Sequence, residues 1–402
     1  GYIGITDESD LLIYEISDID STMQSLTLPL PMTPRIIIPI ENTTTAFIAC
    51  SDMNSQDGIW STSFLLYDYS SHQITEILEG GYEPGYCVTS GTFLPFANLI
   101  CIGLANNLRF NPRSSTGGRI ILIDPITFDI HHITDVEDIP GAIGLFNESI
   151  ICGIGDTIRI YKIGLKVLLK FCESKTMPYF ISFISSKGNR IVVGDSAESY
   201  HFLKFDKSNS IITPFCDDCV PRFPLSSVLL DNSTVASGDR FGNFTVLRVP
   251  PDVSDEAEVD LSGVGMVWEH PEFVGAANKF DMAASFHIGD PITALQLSQS
   301  GDSIIYTTIG GGIGSMVPLL HDTEASILKK LEREMRLREH NLCGRSHELF
   351  RSYYTPLTNV TDGDLVKRYM ELPDKDQREI ADKMECLPFD ISSRIVSIES
   401  RV

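Results

Sequence analysis

The chain has 402 residues, of which 43% are hydrophobic and 21% charged. That is enough for two or three domains or one large repeat domain, and it excludes a disordered chain. Lys and Arg number 31 against 54 Asp and Glu, a formal net charge of −23, which argues against a general polyphosphate binder and leaves room for protein partners with basic surfaces.

No stretch of eighteen apolar residues occurs, so no membrane-spanning helix is predicted. The chain opens on Gly1 directly in a strand-like pattern, which reads as part of a longer protein. The nine scattered cysteines read as reduced thiols, not as a disulfide framework.

From the N-terminus, pairs of apolar runs recur around polar turns. "YIGITDESDLLIYEI" (2–16) is the first, followed by 45–68, 98–124, 149–163, 190–205 and 234–249, and "SIIYTTIGGGIGSMVPL" (303–319) is the seventh. Each is rich in Ile, Val, Leu, Phe and Tyr and turns through Gly, Asp, Asn or Ser. The spacing, roughly 40 to 70 residues, is near the period of propeller blades. Shorter apolar segments such as "VLLKF" (167–171), "YFISF" (179–183) and "ITALQL" (292–297) lie between copies. A hairpin plus one strand on each side makes a four-stranded blade. The prediction is a mainly β fold, a seven-bladed β-propeller over residues 1–320, to be closed by strands outside this chain. Two stretches break the repeat, the proline-bearing 17–34 and a long insertion at 250–287 that starts acidic and carries Trp268.

The glycine run in "YTTIGGGIGSMVPL" (306–319) is read as a turn. A phosphate loop needs a lysine and a hydroxyl after its last glycine, but Ser315, Met316 and Val317 follow Gly314.

After His321 the period changes to that of helices, predicting a small helical domain over 321–402. Residues 322–340 set Ile327, Leu331 and Met335 on one face beside Leu328, with Asp322 as N-cap. Further helices are read at 361–372, where Asp362 and Asp364 are caps, at 373–384, where Pro373 suits the first turn, and at 389–400.

Catalytic and metal constellations are weak. Cys216 and Cys219 have half-site spacing for zinc, but the best second half, His340, Cys343 and His347, falls in the other predicted domain. His131 and His132 are adjacent on a strand and face opposite ways. "FRSYY" (350–354) is the best local candidate for base stacking, against the simpler reading that its aromatics pack at a domain junction. No cofactor and no metal are predicted.

"LCGRSHELFRSYYTPLTNVTDGDL" (342–365) resembles the end of the third subunit of splicing factor 3b. "GDRFGNFTVLRVPP" (238–251), "YTTIGGGIGSMVPL" and "NPRSSTGG" (111–118) fit the same subunit. It belongs to a triple-propeller family that includes the damaged-DNA-binding adaptor of cullin ubiquitin ligases and the large subunit of the cleavage and polyadenylation specificity factor. The resemblance covers nearly the whole chain and is most specific from about residue 186 to 372. "DGDL" (362–365) is shared with the cullin adaptor, whereas "CGR", "FRSYY" and "NPRS" favour the splicing member. One departure is the brevity of 17–34, where the splicing subunit usually has a longer charged insertion.

The resemblance implies the third propeller and helical domain of a nuclear, non-catalytic scaffold of the spliceosome, acting in pre-mRNA splicing and branch-site recognition. In the family, the first and third propellers clamp partner proteins. The implied partners are the HEAT-repeat subunit and small subunits of splicing factor 3b in a hetero-oligomeric complex, with RNA contact indirect or minor and no membrane. The candidate contacts are Asn111 and Arg113 in the 111–118 loop, Arg351, Tyr353 and Tyr354 at the junction, and Asp362 and Asp364. Two alternatives are an adaptor of a cullin-type ubiquitin ligase and, from another class, a propeller enzyme using His131 or His132 in a central channel.

Overall fold

The computed structural model describes residues 2–7, 10–15, 27–78, 80–174, 177–259, 276, 278–298, 300–338 and 346–401. Strands β1 (Tyr2–Asp7) and β2 (Asp10–Glu15) form a separate two-stranded hairpin. Six sheets then follow in chain order. Blade one is β3 (Pro34–Pro39), β4 (Thr45–Met53), β5 (Trp60–Asp68) and β6 (Gln73–Glu76). Blade two is β7 (Tyr86–Leu94), β8 (Leu99–Asn106), β11 (Gly118–Ile123) and β12 (Ile130–Val136). The small ribbon β9 (Arg109–Phe110) and β10 (Arg113–Ser114) sits in its central turn. Blade three is β13 (Pro140–Phe146), β14 (Ser149–Ile154), β15 (Thr157–Ile163) and β16 (Leu168–Glu173).

Blade four has β17 (Ile181–Lys187), β18 (Arg190–Asp195), β19 (Tyr200–Asp206) and β20 (Ile211–Asp217). Blade five has β21 (Pro224–Leu229), β22 (Thr234–Asp239), β23 (Asn243–Arg248) and β25 (Asp281–His287). The insertion between β23 and β25 carries helix α1 (Pro251–Val259) and β24 (Asn278–Lys279), which pairs parallel to β20 as a fifth strand of blade four. Blade six has only β26 (Ile292–Leu297), β27 (Ile304–Thr308) and β28 (Ile313–Met316).

The first strands of successive blades touch, from β3 through β7, β13, β17 and β21 to β26. They therefore line the centre, and each sheet runs outward from them. No comparable contact joins β26 to β3 among the described residues. The expected seven blades are thus six, arranged as a propeller, with the first hairpin apart. All seven predicted hairpins form. A hairpin is half a blade, however, and its own sequence does not say which strands flank it.

Blades stack face to face, so their middle strands are covered on both sides and read as continuous apolar runs. All of β18 and β22 is buried, whereas the outer strand β12 alternates between buried and exposed. Each layer has its own core, such as Leu94, Cys101, Ile120 and Leu122 of blade two against Ile143, Ile150, Cys152 and Ile154 of blade three. Glycine near the end of a second strand lets the next blade approach. A Cβ on Gly153 would lie 2.4 Å from Ile181, and one on Gly238 2.5 Å from Ile292.

The helices after blade six share a core of Leu328, Leu331, Met335, Leu365, Val366, Tyr369, Ile380, Ile391 and Ile395. They are α2 (Asp322–Arg338), α3 (His347–Arg351), α4 (Gly363–Lys367) with a 3-10 turn (Arg368–Glu371), α5 (Asp374–Lys383) and α6 (Pro388–Glu399). Asp322 is the first helical residue, not the cap, and Ile327 is only half-buried. Pro373 stands one position before its expected first turn, as the N-cap of α5. Trp268, His340 and Cys343 lie outside the described residues.

Candidate partner interface

Because the strands alternate in direction, the loop between second and third strands and the link to the next blade emerge on one face of the ring. That face gathers most of the predicted contact residues. Trp60, at the start of β5, is buried, and its indole N–H donates to the Leu108 carbonyl at 2.8 Å. The edge of Phe110 meets Trp60 at 5.9 Å, and Phe110 is 65% exposed. These contacts hold up the ribbon that carries Asn111 and Arg113. Asn111 is exposed and precedes a cis proline. Arg113 crosses to later blades, stacking over the Phe180 ring at 4.0 Å and reaching Ser196 Oγ at 3.5 Å.

A second cluster lies over blade five. Arg240 stacks on Phe223 at 4.1 Å and on Phe241 at 5.0 Å. Tyr354 stacks on Phe241 at 5.3 Å, and its hydroxyl donates to the Pro221 carbonyl. Tyr354 holds a φ of 72°, a costly left-handed conformation for a bulky residue. Tyr353 lies against His287 at 5.0 Å. Tyr353 and Tyr354 stay 60% and 50% exposed. The tyrosines thus pack on one side and remain open on the other, the form of an interface anchor.

What seats these tyrosines is the chain around them. Thr358 and Ser285 exchange backbone hydrogen bonds at 2.9 and 3.0 Å, docking the segment on the outer edge of blade five. Arg351 donates Nη1–H to the carbonyls of His287 and Ile288 at 3.0 and 3.2 Å and stacks over Phe286. Its Nε–H donates to Asp362 Oδ2 at 2.7 Å. Asp362 is buried, lies 2.7 Å from His347 Nε2, and caps α4 by accepting from the N–H groups of Asp364 and Leu365. Burial works to raise its carboxyl pKa, but the Arg351 cation and the His347 hydrogen bond outweigh this and hold it below the ordinary 3.8. Asp364 is exposed in the first turn of α4. The local sequence marked Asp362 as a cap. Its second role, clamping Arg351 against blade five, depends on β25 and had no local signal. Phe223, Phe241 and Arg240 had none either, because loop aromatics gain meaning only from the neighbouring blade.

The other candidates separate. Gly310 to Gly314 form the β27–β28 turn, where a Cβ on Gly310 would lie 2.6 Å from Asp290 Oδ2. Gly310 N–H donates to that carboxylate at 2.8 Å, so the run is a tight turn against the preceding link. His131 is half-exposed and 3.6 Å from Asp124, while His132 is buried with Nε2 at 2.7 Å from the Gly164 carbonyl. Both sit on β12, the outermost strand of blade two, and neither lines the channel. Cys216 is buried and Cys219 exposed, and no cluster with metal-ligand geometry exists among the described residues.

The fold and this face define a β-propeller interaction module with a helical C-terminal extension. Its sequence matches the family described as the CPSF A subunit region over residues 83–371, and the chain belongs to that family. It is 35% identical over 355 residues to the probable splicing factor 3B subunit 3 of Dictyostelium discoideum, covering 86% of this chain and 28% of that protein. Splicing factor 3B subunit 3 of Danio rerio is 34% identical over 310 residues, covering 75% of this chain and 26% of its own. Spliceosome-associated protein 130 A of Arabidopsis thaliana is 33% identical over 355 residues, covering 85% and 29%. The chain therefore spans between a quarter and a third of the length of these curated relatives.

Proposed function

We propose that this chain is a non-catalytic interaction scaffold in the splicing factor 3b assembly of the nucleus, acting in pre-mRNA splicing at branch-site recognition. The observation that carries the reading is the face bearing Arg113, Arg240, Tyr353 and Tyr354, stacked yet open, in a chain related to proteins named for splicing. Arginine and tyrosine anchors of this kind favour protein interfaces. On this reading Asn111, Arg113, Tyr353, Tyr354 and Asp364 touch the partner, and Arg351 and Asp362 hold them in place. The HEAT-repeat subunit and the small subunits of the assembly are the proposed partners. Residues 1–320 act as the propeller, with the hairpin of β1 and β2 as half of a seventh blade, and residues 321–402 as the helical domain.

The test is affinity purification of the full-length parent after nuclease treatment, read by mass spectrometry. Recovery of the HEAT-repeat subunit without RNA is the expected result. Recovery of a cullin with its substrate receptors in its place overturns the reading. Arg113→Glu combined with Tyr353→Ala is expected to reduce recovery about tenfold or more.

A further inference from the structure

The outward face of α2 holds unused positive charge. Most cations of the helical region are paired. Arg336 meets Glu332 and Glu348, Arg338 meets Asp376 and Glu379, Lys383 meets Glu334, and Arg401 meets Glu324. Lys329, Lys330 and Arg333 are exposed and carry no ion pair among the described residues. At about 100° per residue they fall opposite the buried Leu328, Leu331 and Met335. Ser326, Lys329, Lys330 and Arg333 line a shallow concavity, with Asp322 at one end. Leu337 continues the same stripe and is 69% exposed. The stripe from Asp322 to Leu337 is roughly 22 Å long, three to four helical turns.

We infer that this face docks a short acidic segment of a partner protein, with carboxylates over Lys329, Lys330 and Arg333 and an apolar side chain over Leu337. Three cations within five residues, in a chain of net charge −23, are a local exception to the field of the molecule. A nucleic-acid strand carries phosphate at every step. It would run from the three cations onto Asp322 and the acidic surface beyond. A protein segment can place carboxylates on the cations, a neutral side chain at Asp322 and an apolar one at Leu337. Such charge pairing selects the partner and speeds its arrival more than it raises affinity.

The inference rests on the reading that the chain works within an assembly, and the test separates the two. The assembly containing the full-length parent is treated with a zero-length carbodiimide, which joins a lysine amine only to a carboxylate in contact with it. In parallel, amine acylation of Lys329 and Lys330 is followed at 0.15 M and 1 M salt, with and without nuclease. The expected result is amide links from Lys329 or Lys330 to Asp or Glu of another chain. Acylation should rise about tenfold at high salt and stay unchanged by nuclease. Free acylation at low salt, with partners still bound, overturns the docking site alone. Acylation released by nuclease assigns the face to nucleic acid and overturns it too. A parent that purifies without partners removes the scaffold reading and this inference with it. The Lys329→Glu, Lys330→Glu, Arg333→Glu variant should lose the linked chain about tenfold, while Lys329→Arg with Lys330→Arg retains it. All three positions are exposed, so neither variant threatens the fold.

Discussion

Asp362 concentrates more structure than any other candidate residue. One buried carboxylate caps α4, receives Arg351 and meets His347. Asp362→Asn leaves the Arg351 guanidinium facing a neutral amide in a largely enclosed site. Breaking a buried pair from one side costs about 3 to 5 kcal/mol, so the thermal midpoint should fall sharply. Asp364→Asn, on the exposed first turn, should cost less than about 1 kcal/mol. A second residue-scale prediction concerns acid. His201 is buried with neither ring nitrogen hydrogen-bonded. Burial lowers its pKa below the ordinary 6.5, against the pull of Asp217 and Asp195. Burial likewise lowers His287, with Asp239 opposing and Arg351 assisting. Between the folded and unfolded values, the unfolded chain binds more protons, so stability rises with pH. Their contribution is complete above about pH 6.5 and is lost as pH falls through the folded values. Melting midpoints should decline between pH 7 and 5, and His201→Leu should flatten that decline. An unchanged slope in the variant would remove His201 from the account. Asp362, held below 3.8, adds its loss only at still lower pH.

Among the elements, the insertion at 250–287 shows where the sequence stopped being legible. Its acidic start reads as a solvated loop, yet the residues around Ser254 and Ala257 form a helix fastened to blade four. Arg190, buried on β18, donates to Glu258 Oε1 at 2.9 Å, Ser254 Oγ at 2.9 Å and the Ser254 carbonyl at 2.7 Å. Lys204 donates to the Ala257 carbonyl. Beyond α1, Asp217 accepts from the Ala276 N–H and pairs with Lys279, fixing β24 beside β20. A two-residue strand leaves no periodic signal, and a basic residue on β18 gives no hint of a helix some 65 positions away. The seven hairpins were readable because each carries its own alternation and its own turn. Arg190→Ala should leave the carboxylate of Glu258 and the carbonyl of Ser254 without a partner, at about 2 to 4 kcal/mol. The loss should be local, since α1 joins the ring only through this contact set. Hydrogen exchange is then expected to accelerate in α1 and β24 while β14 and β15 keep their protection. Uniform acceleration across the ring would mean that the insertion supports the whole propeller.

For the whole molecule, the number of blades was the least legible property, because ring closure depends on strands far apart in sequence. Five blades have a fourth strand outside the hairpin, and blade six ends at β28. The outer edge of β28 has no strand beside it among the described residues, and Ile313 at its start is 67% exposed. A flat edge with an exposed β-branched residue invites pairing with another chain. The 402-residue chain by itself should therefore associate with increasing concentration, even though its net charge of −23 opposes association. Because β28 is short, a single lysine at its exposed start should suffice to blunt it. Ile313→Lys should shift the sedimentation profile toward monomer without lowering the melting midpoint by more than about 1 kcal/mol equivalent. Association unchanged by Ile313→Lys would place the contact elsewhere, with the exposed ribbon around Phe110 as the next surface to substitute.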